Sequence, residues 1–495
     1  MKILFVIKDI EYIDPMGLML LSALAKEQGH ETKLNVLSNG DLASCIKTYK
    51  PDMAAFSAKT GEHKYYIAAN SAIKKLKPDT FTVIGGPHAT FFPDIILKHQ
   101  FDALCAGEGD DAWPELLRAV AGKSSFDNIP NILTKKNYDG VTPPVMRPRR
   151  RQLDDLPFLD RDLVYGSTRL GRFPMRSFMV SRGCPYKCTY CFNHKYNMLY
   201  KGNGPLHSRM SVDRVISELK LIKSKYPTQF IKFYDDIFVM EDDQWLDDFS
   251  AKYSREIGLP FHCLMRANLL TESILIKLKK AGLASLSMSI ESGNDRVRNE
   301  LLKRNMSKET MIKAFDLCAK HNVPTFSNTI FAIPSTSLAE DIESLDINLR
   351  CKVTFGEFPI FFPYPKTELA EYAIKSGYFD GDFDKLHMSY QSNSPLNCFT
   401  PSEKLLQRNL SLLSTLCLWK PSLRNLVVNR LIKLPLTGLY FIVYFFIKAY
   451  LVKYRIYPMK FTLINTVRGI YESFVLEKFK HTDEIFTEKG LDTKR

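Results

Sequence analysis

Short apolar runs alternate with helix-like segments along most of this chain, and this alternation restricts its fold more than any other feature. The first stretch contains the segments KILFVI, MGLMLLSALAKEQG, MAAFSA, YYIAANSAIKKLK and FTVIGG. Strand and helix alternation of this kind predicts a parallel, doubly wound sheet of the α/β class. We therefore expect residues 1–145 to form a Rossmann-like domain.

The alternation stops over 146–176, a stretch rich in proline and arginine that is predicted to be a linker. It resumes over 177–380 with about six strand-helix units, which predicts a full or partial (β/α) barrel with functional residues at the strand ends. Residues 381–495 lack the alternation and are predicted to be a helical, basic C-terminal region. The chain of 495 residues is long enough for several domains.

Three of the ten cysteines, Cys184, Cys188 and Cys191, lie in one short loop directly after a predicted strand. Such a loop can surround one metal centre, and three thiols leave one iron of a cubane cluster without a protein ligand. A Cys3His zinc site that includes His194 is the alternative by count. The other cysteines are scattered and the first residues do not resemble a signal peptide, so we expect a cytoplasmic protein without a disulfide framework.

The cysteine loop resembles the CxxxCxΦC signature of the radical SAM superfamily, with Tyr190 at the aromatic position. Together with the first domain, residues 1 to about 380 resemble the cobalamin-binding-domain radical SAM enzymes. The resemblance implies that the three cysteines bind a 4Fe-4S cluster, whose open iron binds S-adenosylmethionine (SAM). It also implies reductive cleavage of SAM to a 5′-deoxyadenosyl radical, with electrons from a donor such as flavodoxin or ferredoxin.

Other strand ends carry residues that the resemblance assigns to SAM, beside Tyr190. Asp235 and Asp236 match the acidic motif that holds the SAM amino group, and a helix N-cap is the alternative role. Glu291 is implied to bind the ribose hydroxyls, unless it is a salt-bridge partner. Arg266 is implied to bind the SAM carboxylate, unless it belongs to a buried ion pair.

Two segments depart from the family pattern. The chain has Pro334-Ser335-Thr336-Ser337 where many relatives have Pro-Gly-Glu-Thr, and Tyr364-Pro365-Lys366-Thr367 where they have Tyr-Pro-Gly-Thr. These departures leave the adenine and substrate contacts unassigned.

Two glycine turns in the first domain each follow an apolar run and resemble motifs of the cobalamin-binding domain. The resemblance implies that cobalamin contacts Gly85, Gly86, His88, Gly107 and Glu108. The Asp-x-His-x-x-Gly motif that supplies an axial histidine does not occur in this domain. We therefore expect cobalamin without a histidine ligand and His88 in the pocket wall. A degenerate domain without cofactor is the alternative.

The net charge of +14 is concentrated in the C-terminal segment, where no acidic residue occurs between residues 404 and 471. The eleven basic residues there are Lys404, Arg408, Lys420, Arg424, Arg430, Lys433, Lys448, Lys453, Arg455, Lys460 and Arg468. The same segment contains the apolar stretch from Leu434 to Val452, whose Pro435 and Gly438 weaken a transmembrane reading. An interfacial helix on an anionic membrane and a buried helix that caps the barrel are the two main interpretations.

The resemblance implies a methyltransferase that transfers a methyl group from methylcobalamin to an unactivated carbon of a small-molecule or lipid-like substrate. Ring formation or rearrangement with the same cofactors is the second hypothesis for an enzyme. A non-catalytic metal-binding or membrane-scaffold protein is the alternative from another class. We expect no nucleic-acid partner, since the positive charge is not spread along the chain. The expected location is the cytoplasm, with peripheral contact at the inner membrane face as an option.

Overall fold

The computed structural model describes residues 1–39, 41–383, 386, 393–460 and 469. These residues divide into two compact units. The first unit comprises 1–173 and 199–205, and the second comprises the remaining described residues.

The first unit is an α/β sheet covered by helices. Its strands are β1 (Lys2–Ile7), β2 (Glu31–Val36), β3 (Met53–Ser57), β4 (Phe81–Gly85), β5 (Ala103–Cys105) and β6 (Ile132–Leu133). Its helices are α1 (Met16–Glu27), α2 (Leu42–Tyr49), α3 (His63–Leu76), α4 (Gly86–Phe91), α5 (Ile95–Lys98), α6 (Ala112–Ala121) and α7 (Asp162–Tyr165). The strand order is β2-β1-β3-β4-β5-β6, with β6 antiparallel to β5 and the other pairs parallel. This topology confirms the predicted doubly wound fold.

The segment that follows this sheet differs from the predicted linker over 146–176. Its α7 region packs against α1, where the Asp160 amide donates to the Met19 carbonyl at 3.1 Å. Arg161 pairs with the buried Asp14 carboxylate at 3.0 Å, and the Tyr165 hydroxyl donates to the same carboxylate at 2.8 Å. Asp14 lies 147 residues before Arg161 in sequence, so local composition could not predict this pairing.

The second unit contains a second parallel sheet with its own helices. Its strands are β7 (Met175–Phe178), β8 (Ser181–Arg182), β9 (Ser208–Arg209), β10 (Phe230–Phe233), β11 (Phe261–Leu264), β12 (Leu283–Ser287), β13 (Thr325–Asn328) and β14 (Phe355–Glu357). Its helices are α8 (Phe192–Leu199), α9 (Val212–Lys225), α10 (Gln244–Glu256), α11 (Glu272–Ala281), α12 (Lys308–Lys320), α13 (Leu338–Arg350), α14 (Glu368–Lys375), α15 (Pro401–Trp419), α16 (Arg424–Asn429) and α17 (Thr437–Leu451).

Six of these strands form one parallel sheet in the order β14-β13-β12-β11-β10-β7, while β8 and β9 form a separate antiparallel pair. Because β7 and β14 are the two edges of this sheet, the predicted barrel is a partial one. Side chains on one face of the sheet, such as Phe233, Phe261 and Leu286, are fully buried against α9–α12 in the main core. The alternate side chains point away from these helices, as the two-residue period of a strand requires.

The apolar stretch from Leu434 to Val452 contains α17, a helix of 15 residues. One side of α17 is buried, including Tyr444, Ile447 and Leu451. The other side leaves Leu439, 53% exposed, and Phe446, 59% exposed, open to solvent. No helix within the described residues is both long enough and apolar enough to span a membrane. The helix therefore has one buried side and one exposed apolar side, and its capping of the barrel stays a prediction. Residue Arg468 lies outside the described residues.

Candidate active site

The three-cysteine loop begins directly after the short strand β8, which follows β7, and it ends at the first turn of α8. Gly183 opens the loop with φ of +90°, a backbone conformation that glycine adopts without strain. The Cys191 amide donates to the Cys188 carbonyl at 3.1 Å, and Asn197 donates to the Cys184 carbonyl at 2.8 Å. These hydrogen bonds fold the loop back on itself, so the three thiols lie in one region beside the sheet.

The thiols share a buried environment. Burial raises the pKa of Cys191 to about 12, and Cys188, Asp236 and Cys184 contribute in the same direction. Burial also raises the pKa of Cys184. Cys184 and Cys191 are therefore protonated at neutral pH without a bound metal, and a metal centre must displace their protons when it binds.

Arg266, which follows β11, lies against this loop. Its Nη1 donates to the Cys188 sulfur at 3.6 Å, and its Nη2 donates to the Arg304 carbonyl at 2.7 Å. Its guanidinium group lies 3.6 Å from the centre of the Tyr186 ring, and its Nε donates to the Asn268 side chain at 3.1 Å. All three guanidinium nitrogens thus have protein partners, and Arg266 holds the cysteine loop in place.

The paired acids after β10 have different surroundings. Asp235 is fully buried, and its Oδ1 accepts hydrogen bonds from the amides of Val180 and Ser181 at 2.9 and 2.6 Å. Its Oδ2 is buried without a partner among the described residues, and burial raises its pKa to about 7. Asp236 is exposed and close enough to Cys184 and Cys191 to raise the pKa of both. Neither acid caps a helix, since the next helix has Asp243 as its N-cap.

Glu291 follows β12 and lies in a buried polar network with Tyr190 and Arg304. The Tyr190 hydroxyl donates to Glu291 at 3.0 Å, and Arg304 lies 4.0 Å from the same carboxylate. Arg304 also donates to the Tyr190 hydroxyl at 3.2 Å and to the Ser289 carbonyl at 2.7 Å. Glu291 has φ of +64°, so its backbone is held in a strained conformation. Arg304 was not predicted from the sequence, because it lies in a loop without a recognisable motif.

Comparison with known proteins identifies both units. The family model described as Radical SAM superfamily matches residues 178–346, and the model described as B12 binding domain matches residues 5–117. Residues 178–346 are therefore similar to the radical SAM superfamily, and residues 5–117 are similar to the B12-binding domain. We therefore refer to its two parts as the radical SAM unit and the B12-binding unit.

Individual relatives agree with this assignment. An uncharacterized methyltransferase of Pyrococcus horikoshii is 27% identical over 371 residues, which cover 73% of this chain and 78% of that protein. The hopanoid C-3 methylase of Methylococcus capsulatus is 27% identical over 292 residues, which cover 57% of this chain and 54% of that protein. The radical SAM methyltransferase TsrM of Kitasatospora setae, solved with cobalamin and a cluster bound, has a TM-score of 0.61 at 17% identity and covers 76% of this chain and 78% of that one. The likeness to TsrM is one of fold.

The residues of the radical SAM unit fit an iron-sulfur cluster. Three thiols form the donor set on one loop, and a guanidinium N–H points at one of the sulfurs. No three cysteine, histidine or carboxylate side chains of the described residues converge closely enough to hold a single metal ion. His194, the residue considered for a zinc site, lies 4.0 Å from Glu368 of α14 instead. A cubane cluster binds one cysteine on each of three irons, so its ligands do not converge on one point.

In the B12-binding unit, the two glycine turns lie at the ends of the adjacent strands β4 and β5. Gly86 has φ of +88°, and a side chain there would come within 2.8 Å of the Ala58 amide. Gly107 has φ of +74°, and a side chain there would meet Tyr200. The Thr90 hydroxyl joins the two turns, since it donates to the Gly86 carbonyl and accepts from the Gly107 amide, both at 2.9 Å. Gly85 and Glu108 adjoin these positions.

His88 lies within a stack of flat rings beside the first turn. Its ring is 3.8 Å from that of His63 and 4.8 Å from that of Phe92, centre to centre, and its Nδ1 is 3.0 Å from the Thr60 hydroxyl. Burial, followed by the neighbouring His63, lowers the pKa of His88 to about 3, so the imidazole is neutral. A buried stack of flat rings next to two glycine turns fits the edge of a large planar cofactor. Sequence motifs did not identify His63 or Thr60.

The two departures from the family pattern also have a structural explanation. Ser335 and Lys366 occupy the positions where many relatives have glycine, and both have positive φ, at +64° and +61°. The turns therefore keep the backbone that glycine favours although the residue differs. Ser337 begins α13 with a capping box, since its hydroxyl accepts from the helix and Glu340 accepts from its amide.

Proposed function

We propose that this protein is a cobalamin-dependent radical SAM methyltransferase that acts on an unactivated carbon. The observation that carries the proposal is the three-thiol loop at the strand ends of a radical SAM unit, in a chain that also contains a B12-binding unit. When bound, the cluster supplies the electron that cleaves SAM, and cobalamin carries the methyl group.

The roles of the chain's own residues follow from their surroundings. Cys184, Cys188 and Cys191 bind the cluster through their thiolates. Asp236 is the acid that contacts the SAM ammonium group, because its carboxylate is exposed beside the thiols. Asp235 is a positioning residue, since its hydrogen bonds to Val180 and Ser181 hold the backbone that leads into the cysteine loop.

The remaining residues assigned to SAM likewise comprise a residue that contacts SAM and residues that position other groups. Glu291 accepts hydrogen bonds from the ribose hydroxyls, and Tyr190 and Arg304 orient its carboxylate. Arg266 is a positioning residue rather than the contact for the SAM carboxylate, because each of its three guanidinium nitrogens already donates to a protein atom. The substrate is a small or lipid-like molecule, and the electrons come from a reducing protein such as flavodoxin or ferredoxin.

Replacement of Cys184, Cys188 and Cys191 together by alanine tests the proposal. We expect anaerobically reconstituted wild-type protein to contain about four irons per chain and to form 5′-deoxyadenosine from SAM under reducing conditions. The triple variant should lose both properties, whereas Cys398→Ala, a cysteine outside the loop, should keep both. A triple variant that retained iron and SAM cleavage would disprove the cluster assignment. Products that gain a methyl group support methylation, and products of unchanged carbon count support cyclisation or rearrangement.

We also propose that the exposed side of α17 contacts an anionic membrane surface. Leu439, Ile442, Phe446 and Tyr450 follow one another at helical spacing, and each is more than 40% exposed, at 53, 44, 59 and 52%. Exposed basic residues flank this side on neighbouring segments: Lys420, Arg430, Lys433 and Arg455. Apolar residues that enter the acyl boundary, surrounded by cations that meet anionic headgroups, are typical of peripheral membrane proteins.

A further inference from the structure

The sheet of the radical SAM unit has a polar side that the assigned SAM residues do not use. Residues in register on parallel strands point to the same side of a sheet, and Lys232 of β10 is in register with Ser177 of β7 and His262 of β11. His262 is in turn in register with Ser285 of β12. We call this side, which also carries Phe326 and Glu357 on β13 and β14, the inner face.

The inner face is the concave side of the sheet, because the sheet is strongly curved. Four strand spacings separate β10 from β14, which would be about 19 Å in a flat sheet. Glu357 nevertheless acts on Lys232 as a neighbouring charge, and Tyr457 approaches both. Lys232 keeps part of its surface accessible, whereas Phe230, Ile231 and Phe233 on the same strand are at most 1% exposed. The accessible part of Lys232 therefore faces the space on the concave side of the sheet.

The C-terminal segment forms the floor of this space. The Ser285 hydroxyl donates to the Ile456 carbonyl at 2.5 Å, and the Tyr457 ring lies edge-on to His262 at 5.1 Å. Lys448 of α17 pairs with Glu357 at 2.7 Å. The C-terminal segment, which the sequence suggested as a cap, thus packs against the inner face.

Lys232 is an uncompensated cation in this space. Its ammonium group lies 4.1 Å from the ring centre of Tyr234 and 4.7 Å from that of Tyr457. Among the described residues it forms no ion pair, and the nearby Glu357 is already paired with Lys448. A buried charge without a partner is costly, so such a group is expected to receive an anion when the site is in use.

His262 has an unused hydrogen-bonding atom in the same region. Ser285 must donate its proton to the Ile456 carbonyl, since a carbonyl only accepts. The Ser285 oxygen, 2.7 Å from His262 Nδ1, therefore accepts from that nitrogen, which leaves Nε2 unprotonated. Nε2 is fully buried and has no partner among the described residues. A ligand in this space can satisfy it with a hydroxyl group.

We propose that the inner face binds the anionic oxygen group of the substrate, a carboxylate or a phosphate, at Lys232, with His262 Nε2 accepting a hydrogen bond from a neighbouring hydroxyl. Lys232 precedes Asp235 by three residues, so the backbone at Lys232 lies about 10 Å from the backbone at Asp235, in the acidic motif assigned to SAM. A spacer within the substrate therefore separates the reacting carbon from the anionic group. This inference rests on the proposed function and names the substrate class of the same site.

Charge on Lys232 should control the affinity. Burial lowers the pKa of Lys232 to about 7, and Glu357 partly offsets this effect while Lys448 adds to it. Burial holds the pKa of His262 well below its usual range, so the imidazole stays neutral. Tyr234 and Tyr457 complete the groups that face Lys232, and burial raises the pKa of Tyr457, which stays neutral as well. The affinity for a carboxylate should therefore fall by up to about tenfold per pH unit above the pKa of Lys232.

The test measures binding of octanoate, octyl phosphate and octan-1-ol to the anaerobically reconstituted full-length enzyme by calorimetry. We expect millimolar or tighter binding of the two anions, weaker binding of octanol, and octanoate affinity that falls between pH 6 and pH 9. Lys232→Met should weaken anion binding at least about tenfold without affecting octanol, and Lys232→Arg should retain it. Lys313→Met, at an exposed lysine of α12, is the matched control and should bind as the wild type does.

Three results would overturn the inference: octanol binding as tightly as octanoate, Lys232→Met retaining wild-type affinity, or no binding of either anion at millimolar concentration. If Lys232→Met is unfolded by circular dichroism, the comparison of Lys232→Arg with wild type and the pH profile decide the matter. Formation of 5′-deoxyadenosine is measured in the same samples. Loss of SAM cleavage with intact anion binding would count against the proposed function alone, and intact cleavage without anion binding would count against this inference alone.

Discussion

At the scale of single residues, burial gives similar side chains of the candidate site different environments. Asp235 and Asp236 are neighbours, yet one is fully buried beneath the cysteine loop and the other is exposed beside the thiols. Each of the three guanidinium nitrogens of Arg266 likewise donates a hydrogen bond to another atom of the protein. The motif identifies where such residues lie along the chain, but burial and hydrogen bonding decide which of them remains available to a ligand.

Asp235→Asn should reduce the pH dependence of stability. The pKa of Asp235 is about 7 in the folded protein and about 4 in an unfolded chain. The folded state therefore binds the extra proton between these values, and the free energy of unfolding falls as pH rises through this window. Asparagine cannot ionise, so the variant should lose up to about 1.4 kcal/mol per pH unit of this slope. Urea unfolding at pH 4 to 8 measures it.

Asp236→Asn is the matched control for this prediction, because its exposed carboxylate should leave the slope unchanged. Equal slopes for wild type and Asp235→Asn would show that the buried carboxyl group ionises as easily as one in water. In that case the hydrogen bonds of Asp235 in the turn, rather than its burial, would determine its pKa.

At the scale of elements, α17 has a buried side and an exposed apolar side. Tyr444 and Ile447 pack into the radical SAM unit, and Lys448 pairs with β14, so the helix belongs to the fold. Leu439, Ile442 and Phe446 stay exposed. Sequence alone suggested membrane contact and barrel capping as alternatives, whereas the helix geometry makes them compatible.

Charge substitutions on the exposed side of α17 should abolish membrane binding without loss of stability. We expect full-length protein to sediment with vesicles of anionic lipid at low salt, and less so at high salt because the charges are screened. The Ile442→Glu and Phe446→Glu double variant should remain in the supernatant with an unchanged melting temperature. Leu221→Glu, at an exposed leucine of α9, should still sediment. Wild-type protein that stays in the supernatant at low salt would refute membrane contact.

At the scale of the whole molecule, each unit brings its candidate residues together at the strand ends of its own parallel sheet. The B12-binding unit does so at β4 and β5, and the radical SAM unit does so after β7, β10, β11 and β12. This is where open α/β sheets bind ligands, since the loops at that edge are free to vary while the sheet stays rigid.

The B12-binding unit should bind cobalamin without a histidine nitrogen on the cobalt. His88 is held between two rings, with Nδ1 directed at Thr60, so we expect it to form a wall of the site. We expect the electron paramagnetic resonance spectrum of the cobalt(II) form, recorded on the full-length protein, to lack nitrogen superhyperfine splitting. His88→Ala should leave the spectrum unchanged while it weakens cobalamin retention. Nitrogen splitting that disappears in His88→Ala would identify an axial histidine instead.

Much of this architecture could be read from sequence because it depends on local patterns. The two-residue and strand-helix periods predict both parallel sheets, and the spacing of Cys184, Cys188 and Cys191 predicts the metal-binding loop. These patterns are dictated by which side chains must be buried on each element and by the short reach of one loop. The acidic and glycine motifs could be recognised for the same reason, since each lies within a few residues.

Contacts between distant segments could be decided only by the tertiary structure. The packing of 160–165 on α1, the network of Arg304 with Tyr190 and Glu291, and the polar inner face around Lys232 each join residues far apart in sequence. Which of these residues meet is decided by the register of the strands and by the path of the chain between distant segments. No local sequence pattern encodes either of them. The sequence by itself therefore determined the kinds of fold and cofactor chemistry, whereas folding determined which charged groups are buried, paired or left open to a ligand.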